Sequence, residues 1–455
     1  MAIRGSYGVF FDRITGNNAT NADAATAGFT LPLTLFPNQA GNTDFRIADG
    51  IPQVAHPSAP QLVAPATRSA ATTIFAPNLR TPYWHEFNFT IQRAIFTDTV
   101  IEVGYVGTRG VKLLLNRNVD QNRIFGDFLN SFKELQAFQA NGAAVSSNNT
   151  LVRLFGTPAA VLSSLGAANF QQGLAGTVAD NLDRTFNGRY AAAGVSNTYL
   201  RNYPQYSNVL LGTNDGRSYY NSLQASIRHS SRNMKSSINY TFAKSIDLFS
   251  GDTGSGLYDS YNETLSRAPS DLNLPHSLNA TAIYTLPLGR GQRFGGQWPH
   301  WADTVAGGWD LGLITIWRSG FPFSFSSGRA TTAGTSLLNY SGDRTVGTAT
   351  VRDGGIYFFT PAQIASFSFP GAGEYGTSGR NAFNGPNQWT TNMSLVKRFR
   401  VAERKAVTFR AEAYGAFNHV NWANPQTNLS TPATFGRITG AAGARTMQLA
   451  LRYDF

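Results

Sequence analysis

The stretch that closes the sequence, residues 446–455, constrains the fold more than any other feature. It alternates strictly between apolar and polar positions, and the apolar ones are Met447, Leu449, Leu451, Tyr453 and Phe455. This two-residue period is typical of a β-strand with one apolar and one wet face. A soluble chain seldom ends on a strand with an exposed terminal aromatic residue, because chain ends usually fray. A closed membrane barrel has a use for such a strand, since its last strand must pair so that no edge stays open.

The composition is compatible with a barrel wall. Charged residues make up only 14% of the chain, below the usual quarter, while hydrophobic residues make up an ordinary 42%. A barrel lumen lined with Ser, Thr, Asn and Gln needs few ionic side chains. No apolar run approaches the length that a transmembrane helix requires.

The net charge of +11 raises the alternative of nucleic-acid binding. The basic residues are scattered, however, and form only short groups such as residues 397–400. Lining of the lumen and contact with anionic outer-membrane lipid explain such a distribution better, so no nucleic-acid partner is expected. The chain has no cysteine, which excludes disulfides, thiolate metal sites and cysteine nucleophiles.

Alternation of the same kind recurs along the chain and predicts about ten antiparallel strands. The predicted strands are residues 3–11, 83–95, 100–106, 219–229, 235–244, 276–286, 309–318, 388–399, 406–417 and 446–455.

The connections between these strands alternate in length. The long ones are residues 12–82, 107–217, 247–274, 321–386 and 418–445; the shorter ones are 96–99, 230–233, 287–307 and 402–405. Outer-membrane barrels have short periplasmic turns and longer extracellular loops. If the last strand ends in the periplasm, every long connection lies outside the cell and every shorter one faces the periplasm.

The longest predicted connection, about residues 107–217, must carry structure of its own, because a loop of that length without structure is rare. Apolar residues at helical spacing predict helices over 127–140 and 159–174.

Aromatic residues near strand ends fit the girdles that flank the apolar band of a membrane barrel. Trp309 and Trp317 share one face of a predicted strand and would lie roughly 20 Å apart along the membrane normal. We predict that these two residues, with Trp84 and Trp389, form part of the girdles.

With these residues laid out, the chain resembles the β-barrel of TonB-dependent outer-membrane transporters, most closely the Oar-like group. The matching stretches are TPYWHEFNFTIQR (81–93), EVGYVGTRG (102–110), YNSLQ (220–224), NYTFAKSID (239–247), LPHSLN (274–279) and the C-terminal strand. The resemblance implies that the assembly machinery of outer-membrane barrels reads Leu449, Leu451, Tyr453 and Phe455.

The resemblance further implies an all-β, antiparallel transmembrane barrel of about 22 strands with long extracellular loops that carry short helices. It implies an N-terminal plug inside the barrel and a segment that contacts a TonB-type coupling protein. Residues 1–455 are predicted to be a partial barrel domain, the C-terminal part. We recognise no plug in them, and residues 1–8 lack the basic start and apolar core of a signal peptide.

No catalytic or metal motif stands out, so the chain is not expected to be an enzyme or to need a cofactor. The histidines show no paired metal spacing; they are His56, His85, His229, His276, His300 and His419. Four charged residues are expected to face the lumen and tune its electrostatics, namely Glu86, Glu102, Arg410 and Glu412.

The expected function is solute binding and energy-coupled uptake across the outer membrane. Loop residues within about 107–217, 247–274 and 321–386 are expected to contact the solute. Two alternatives remain open. A passive porin or loop-based adhesin would form a smaller barrel of its own, and a soluble β-rich carbohydrate-binding protein or glycosidase would need no membrane.

Overall fold

One large antiparallel sheet dominates the fold. The computed structural model describes residues 1–13, 68, 70–251, 256–345, 347–402 and 405–455. The sheet has 12 strands, of which the long ones are named β1 to β10 in chain order. They are β1 Ala2–Phe11, β2 Tyr83–Phe96, β3 Thr99–Asn118, β4 Asn208–Ser230, β5 Met234–Asp247, β6 His276–Thr285, β7 Trp309–Arg318, β8 Gln388–Ala402, β9 Lys405–Tyr414 and β10 Thr446–Asp454.

Each long strand pairs with the next one along the chain, always antiparallel. Because consecutive strands are neighbours, the sheet is an up-and-down meander, and the predicted strands and their order are confirmed. Within the described residues, β1 and β10 are the two edges of this sheet. We refer to the sheet as the wall.

Two strands are much longer than predicted. The strand predicted at 100–106 continues to Asn118, and the one predicted at 219–229 begins at Asn208. The register between them shifts twice beyond Gly110, and Lys112 has a φ of 56°. These irregularities break the two-residue period, so the sequence pattern ends before the hydrogen bonding does. The short strand Ala71–Phe75 pairs in parallel with the start of β4.

The wall has two chemically distinct faces. Phe89, Tyr105, Leu223 and Phe242 are successive register partners across β2, β3, β4 and β5, and each is 38 to 50% exposed. We name this side the apolar face. The alternate positions place Thr90, Gly104, Gln224 and Thr241 opposite one another on the other side, the polar face.

The long connections meet at one end of the wall and form a folded layer, which we name the cap. The other end, with the short connections, is the turn end. The helices are α1 Gly126–Asn141, α2 Thr150–Phe155, α3 Pro158–Leu165, α4 Ala167–Gln171, α5 Ala175–Thr185, α6 His300–Ala306 and α7 Pro361–Ala365, with 3-10 turns at Asn187–Arg189 and Glu263–Leu265. The helix predicted at 127–140 is confirmed, whereas the one predicted at 159–174 is divided at Gly166, whose φ is 85°. None of the helices in the described residues is long and apolar enough to cross a membrane.

The described part of the cap contains two hydrophobic cores. The first lies among α1 to α5, where Phe132 and Phe170 are fully buried and stack at 4.7 Å between ring centroids. The second is rich in phenylalanine and surrounds Phe325, whose ring lies 4.3 Å from that of Phe367 and 5.0 Å from that of Phe383. Short strands frame the cap: Ala268–Pro269, Pro322–Phe323 with Phe383–Asn384, Asn339–Tyr340 with Phe367–Ser368, Thr350–Arg352 with Gly355–Tyr357 and Arg437–Ile438, and Asn421–Trp422 with Ala441–Ala442.

Candidate functional site

The loops of the cap are tied to one another by charged side chains. Arg380, from the connection between β7 and β8, is only 9% exposed. Its guanidinium pairs with Asp247 at 2.8 Å and with Asp271 at 3.0 Å, and donates to the Ser266 carbonyl at 3.0 Å and the Ser250 hydroxyl at 2.8 Å. A buried arginine with this many acceptors fixes the loop that carries it on the end of β5 and on the connection that follows.

A second junction joins the helical part of the cap to the connection after β5. The Gln121 side-chain amide donates to Asp259 Oδ1 at 2.8 Å and accepts from the Ser260 amide at 2.8 Å. Close by, Arg117 pairs with Asp215 at 2.8 Å and with Glu263 at 2.5 Å. The three loop regions expected to contact a solute therefore meet in one layer.

A polar pocket of about 600 Å³ lies within this layer. It is bounded by the end of β3, by α5 and by residues near 330, so it combines two of the three loop regions. Its volume falls in the range of small-molecule sites. The polar side chains that line it include Asn122, Thr177, Asp180, Asn181, Arg184 and Arg201.

A buried ion-pair network supports the pocket from below. Arg201 is 3% exposed and pairs with Asp180 at 2.7 Å and with Asp183 at 3.0 Å. Asp183 is fully buried and also pairs with Arg68 at 2.5 Å. Burial raises the pKa of Asp183, although the two arginines act in the opposite direction. These ion pairs hold α5 in place, and with it the side chains of α5 that line the pocket.

Two side chains near the pocket have polar atoms that the described residues leave without a hydrogen-bond partner. The Oδ1 atom of Asn122 and the Oδ2 atom of Asp120 are both buried in this way. Asn122 lines the pocket and is 6% exposed. Burial raises the pKa of Asp120 to about 6. Buried polar atoms are nearly always hydrogen-bonded, so these two atoms mark a polar interior beside the pocket that the described side chains alone do not satisfy.

The lining indicates the chemistry that the pocket can accept. Asn, Gln and Thr side chains both donate and accept hydrogen bonds. Three residues of the lining are charged, namely Asp180, Arg184 and Arg201. The ion pair between Arg201 and Asp180 neutralises two of these charges. A neutral or weakly charged solute rich in hydroxyl or amide groups fits this surface.

The polar face of the wall forms a second concavity, of about 680 Å³. Arg410 and Glu412 line it and form an ion pair at 3.1 Å. Glu102, on the same face, pairs with Arg228 at 3.1 Å. Glu86 lies opposite Thr108 in the register and is also on this face. The four charged residues expected on the lumen side therefore all lie on the polar face.

That face also carries apolar residues that the sequence pattern did not reveal. Ile283, Ile314 and Ile316 are 45 to 59% exposed on the polar face. Ile314 and Ile316 occupy polar-face positions in β7, and Ile283 occupies one in β6, so they interrupt the two-residue period of these strands and the period does not reveal them.

The residues predicted to guide assembly and to form the girdles are found as follows. Leu449, Leu451 and Tyr453 lie on the apolar face of edge strand β10 and are 52 to 74% exposed, and Phe455, which follows that strand, is 93% exposed. Their reading by the assembly machinery stays a prediction.

Three of the four tryptophans share the apolar face. Trp317 and Trp389 are register partners near the cap, and Trp309 lies at the turn end. Trp84 lies on the alternate parity, opposite Phe10, with which it stacks at 5.8 Å. The girdle role of the four residues also stays a prediction.

The histidines make local contacts. His85 shares a hydrogen bond of 2.7 Å with the Tyr7 hydroxyl, and His276 shares one of 2.7 Å with the Tyr240 hydroxyl. The His419 ring lies 5.3 Å from the Trp389 ring and is tilted to it. His56 lies outside the described residues. In the part of the chain that the structure describes, no group of three or more potential ligands could hold a metal ion.

Sequence reasoning missed the residues that hold the cap together and line its pocket. Arg380, Gln121 and Arg201 lie in segments without a repeating pattern, and their partners are distant in sequence, for example Asp247 for Arg380. The only available signal was the presence of isolated polar or charged residues in irregular segments, which does not indicate a partner.

The model of the outer membrane beta barrel domain family matches residues 1–448 of the chain. No curated protein sequence matches the chain.

Among solved structures, the chain is similar to the outer membrane transporter YddB from Escherichia coli, with 10% identity and a TM-score of 0.38, over 85% of this chain and 34% of that one. It is similar to the ferric-catecholate import receptor Fiu from Escherichia coli K12, with 10% identity and a TM-score of 0.36, over 100% of this chain and 33% of that one. The ferripyoverdine receptor of Pseudomonas aeruginosa gives 9% identity and a TM-score of 0.33, over 83% and 28%. The chain spans about a third of the length of these proteins.

Proposed function

Because this chain belongs to the outer membrane beta barrel domain family, we propose that it supplies part of the wall and the solute-binding cap of an energy-coupled importer. The chain is located in the outer membrane, with its apolar face toward lipid. The polar pocket of the cap would capture the solute outside the cell, and the polar face would line its path inward. No covalent chemistry is required.

The observation that carries this proposal is the polar pocket itself. Loops of a barrel that served only as a lipid-embedded wall would not need a polar pocket of about 600 Å³ beside a buried ion-pair network. Nor would they need arginines buried to within a few percent, such as Arg201 and Arg380. Such networks hold side chains in fixed positions, and fixed polar groups are what a solute-binding site requires.

Energy coupling is proposed to come from parts of the protein beyond this chain. We infer that a plug fills the lumen against the polar face and that a TonB-type coupling protein moves it. The exposed isoleucines on the polar face, Ile283, Ile314 and Ile316, fit contact with a protein surface better than contact with water.

Binding is tested with the complete protein and a panel of neutral oligosaccharides and short peptides. Thr177→Val and Asn181→Ala each remove polar atoms from the pocket, and each is expected to weaken binding of the recognised solute about fivefold, the effect of one neutral hydrogen bond. Asn148→Ala, at an exposed position in the cap outside the pocket lining, is the matched control and should not change affinity. Equal affinity in all four proteins would contradict this location of the site.

Energy coupling is tested separately in cells. A protonophore should stop uptake of the recognised solute while binding at the cell surface continues. Uptake that continues in the presence of the protonophore would contradict energy coupling and favour a passive pore.

A further inference from the structure

The connection between β6 and β7 differs from the other connections at the turn end. The turns at 97–98 and 231–233 have two or three residues, whereas residues 286–308 separate β6 from β7. This segment includes α6 and has an internal structure. The Arg290 amide donates to Asp303 Oδ1 at 2.7 Å, and the Phe294 amide donates to the Pro287 carbonyl at 3.0 Å.

Close packing of two glycines gives the segment its shape. A side chain at Gly289, whose φ is 118°, would begin 2.5 Å from the Asp303 carboxylate and 3.1 Å from Gly307. The turn after β6 therefore rests directly on α6, which only a residue without a Cβ atom allows.

The end of α6 lies on the apolar face of the wall. Lys397 and Trp309 are register partners on that face, and Trp309 meets Phe409 edge to face at 6.0 Å. The Trp309 indole N–H donates to the Val305 carbonyl at 3.0 Å, and the Lys397 ammonium donates to the Gly307 carbonyl. Lys397 is only 4% exposed as a result, so α6 covers a cation that would otherwise face lipid.

The outer surface of the segment combines aromatic and basic side chains. Trp301 and Val305, one helical turn apart, are 73% and 61% exposed, and Phe294 is 54% exposed. Arg290 and Arg293 are also exposed, and the Arg293 guanidinium lies 5.5 Å from the centre of the Phe294 ring. Tryptophan and arginine beside an apolar surface are typical of segments that lie in the interface of a membrane.

We propose that residues 286–308 form an interfacial anchor that rests on the phospholipid leaflet at the turn end. Trp301 and Val305 lie at the boundary of headgroups and acyl chains, and Arg290 and Arg293 contact anionic headgroups. Two observations select lipid as the occupant. The segment continues the exposed apolar face of an outer-membrane sheet, and its exposed charges nearest the aromatic side chains are cationic. The proposal depends on the outer-membrane location of the chain and not on solute uptake.

The test uses the complete protein in phosphatidylcholine vesicles and measures quenching of a fluorescent label by lipids with brominated chains. Because these residues include no cysteine, a label can be attached at Val305→Cys and, for comparison, at Arg232→Cys in the polar turn between β4 and β5. The label at position 305 is expected to be strongly quenched and the label at position 232 nearly unquenched. Equal quenching at the two positions would overturn the proposal.

The role of the arginines is tested with the same label at position 305. Brominated phosphatidylglycerol should quench more than brominated phosphatidylcholine at the same mole fraction. Arg290→Gln and Arg293→Gln should each lower this preference by up to about fivefold, the effect of one basic residue near an anionic surface. Arg232→Gln, outside the segment, should leave the preference unchanged. If the labelled protein that keeps both Arg290 and Arg293 shows no preference for the anionic lipid, the assignment of anionic headgroups is overturned.

Discussion

In the wall, Phe89, Leu223 and Phe242 leave about half of their side-chain surface exposed, whereas in the cap Phe132 and Phe170 leave none. The two regions belong to one chain, yet they keep apolar surface away from water in different ways. The cap buries it against itself in two cores, as a soluble domain does. The wall keeps it on the outside, where lipid replaces the missing core.

The difference also appears in the polar groups. Strand pairing satisfies the backbone of the wall, so its side chains need few charged partners. The cap consists of short helices, short strands and the irregular segments between them, and buried arginines such as Arg380 and Arg201 help to hold these together. We therefore expect substitutions in the cap to affect packing and ion pairs, and substitutions in the wall to affect contact with lipid.

The largest expected effect comes from the phenylalanine-rich core. Phe325→Ala should destabilise the cap by about 3 to 5 kcal/mol, because a fully buried ring leaves a cavity. Limited proteolysis of intact cells should then cleave the cap faster, while the barrel still reaches the outer membrane. Val351→Ala, at a position 81% exposed in the cap, is the control. Loss of the protein from the outer membrane in Phe325→Ala would show that the cap and the wall do not fold as separate regions.

An effect of similar size is expected for the buried arginine. Arg380→Ala leaves Asp247 without its partner and should cost about 3 to 5 kcal/mol. Hydrogen exchange should speed up in residues 256–275 and remain slow in β4 and β5. Arg344→Ala removes an exposed arginine from the same loop and should change neither. Exchange in residues 256–275 that matches the unsubstituted protein would contradict the role given to Arg380.

The wall should respond to charge on one face only. Leu223→Arg places a cation on the apolar face and should destabilise the barrel by about 2 to 4 kcal/mol if the position is near the bilayer centre. Gln224→Arg, the adjacent residue on the polar face, should cost much less. Unfolding in urea from lipid vesicles measures both, and equal destabilisation would remove the distinction between the faces.

The smallest effect expected is a pH dependence confined to the cap. The pKa of Asp120 is raised by burial from 3.8 to about 6, so between these values the folded state binds more protons than the unfolded state. The contribution of this group to stability is therefore greatest below about 4 and falls by about 1 to 3 kcal/mol as the pH rises through 6. The raised pKa of Asp183 has the same sign.

Asp120→Asn should remove the contribution of Asp120 and leave that of Asp183, because the amide keeps an oxygen for the Tyr203 N–H and carries no charge. Hydrogen exchange of residues 119–125 at two pH values, corrected for the intrinsic rate, measures the effect. The exchange of the wall should not change. A dependence of the same size in Asp120→Asn would assign it to another group.

The sequence predicted the wall far better than the cap for a physical reason. A strand such as β7, predicted at 309–318 and found at Trp309–Arg318, has its pattern set by two environments on its two sides. The alternating pattern ends beyond Gly110 in β3. There the register between β3 and β4 shifts, so successive residues no longer point to the two faces in turn. In the cap, α1 was predictable from helical spacing, since one side of it packs on the first core.

The candidate site was predictable only as a set of loops. Its decisive contacts join residues far apart in sequence, as Arg380 joins Asp247 and Gln121 joins Asp259. A local pattern carries no information about such pairs. The pocket, its buried Asn122 and the charged network below it therefore had to come from the structure.

The central claim is that the wall presents its apolar face to lipid and its polar face to the lumen. Spin labels at single cysteines placed in turn at residues 223 to 227 of β4 test it most directly, in the complete protein in lipid vesicles. We predict that collision with oxygen, which concentrates in lipid, is high at positions 223, 225 and 227 and low at 224 and 226. A uniform accessibility, or the opposite alternation, would contradict the account.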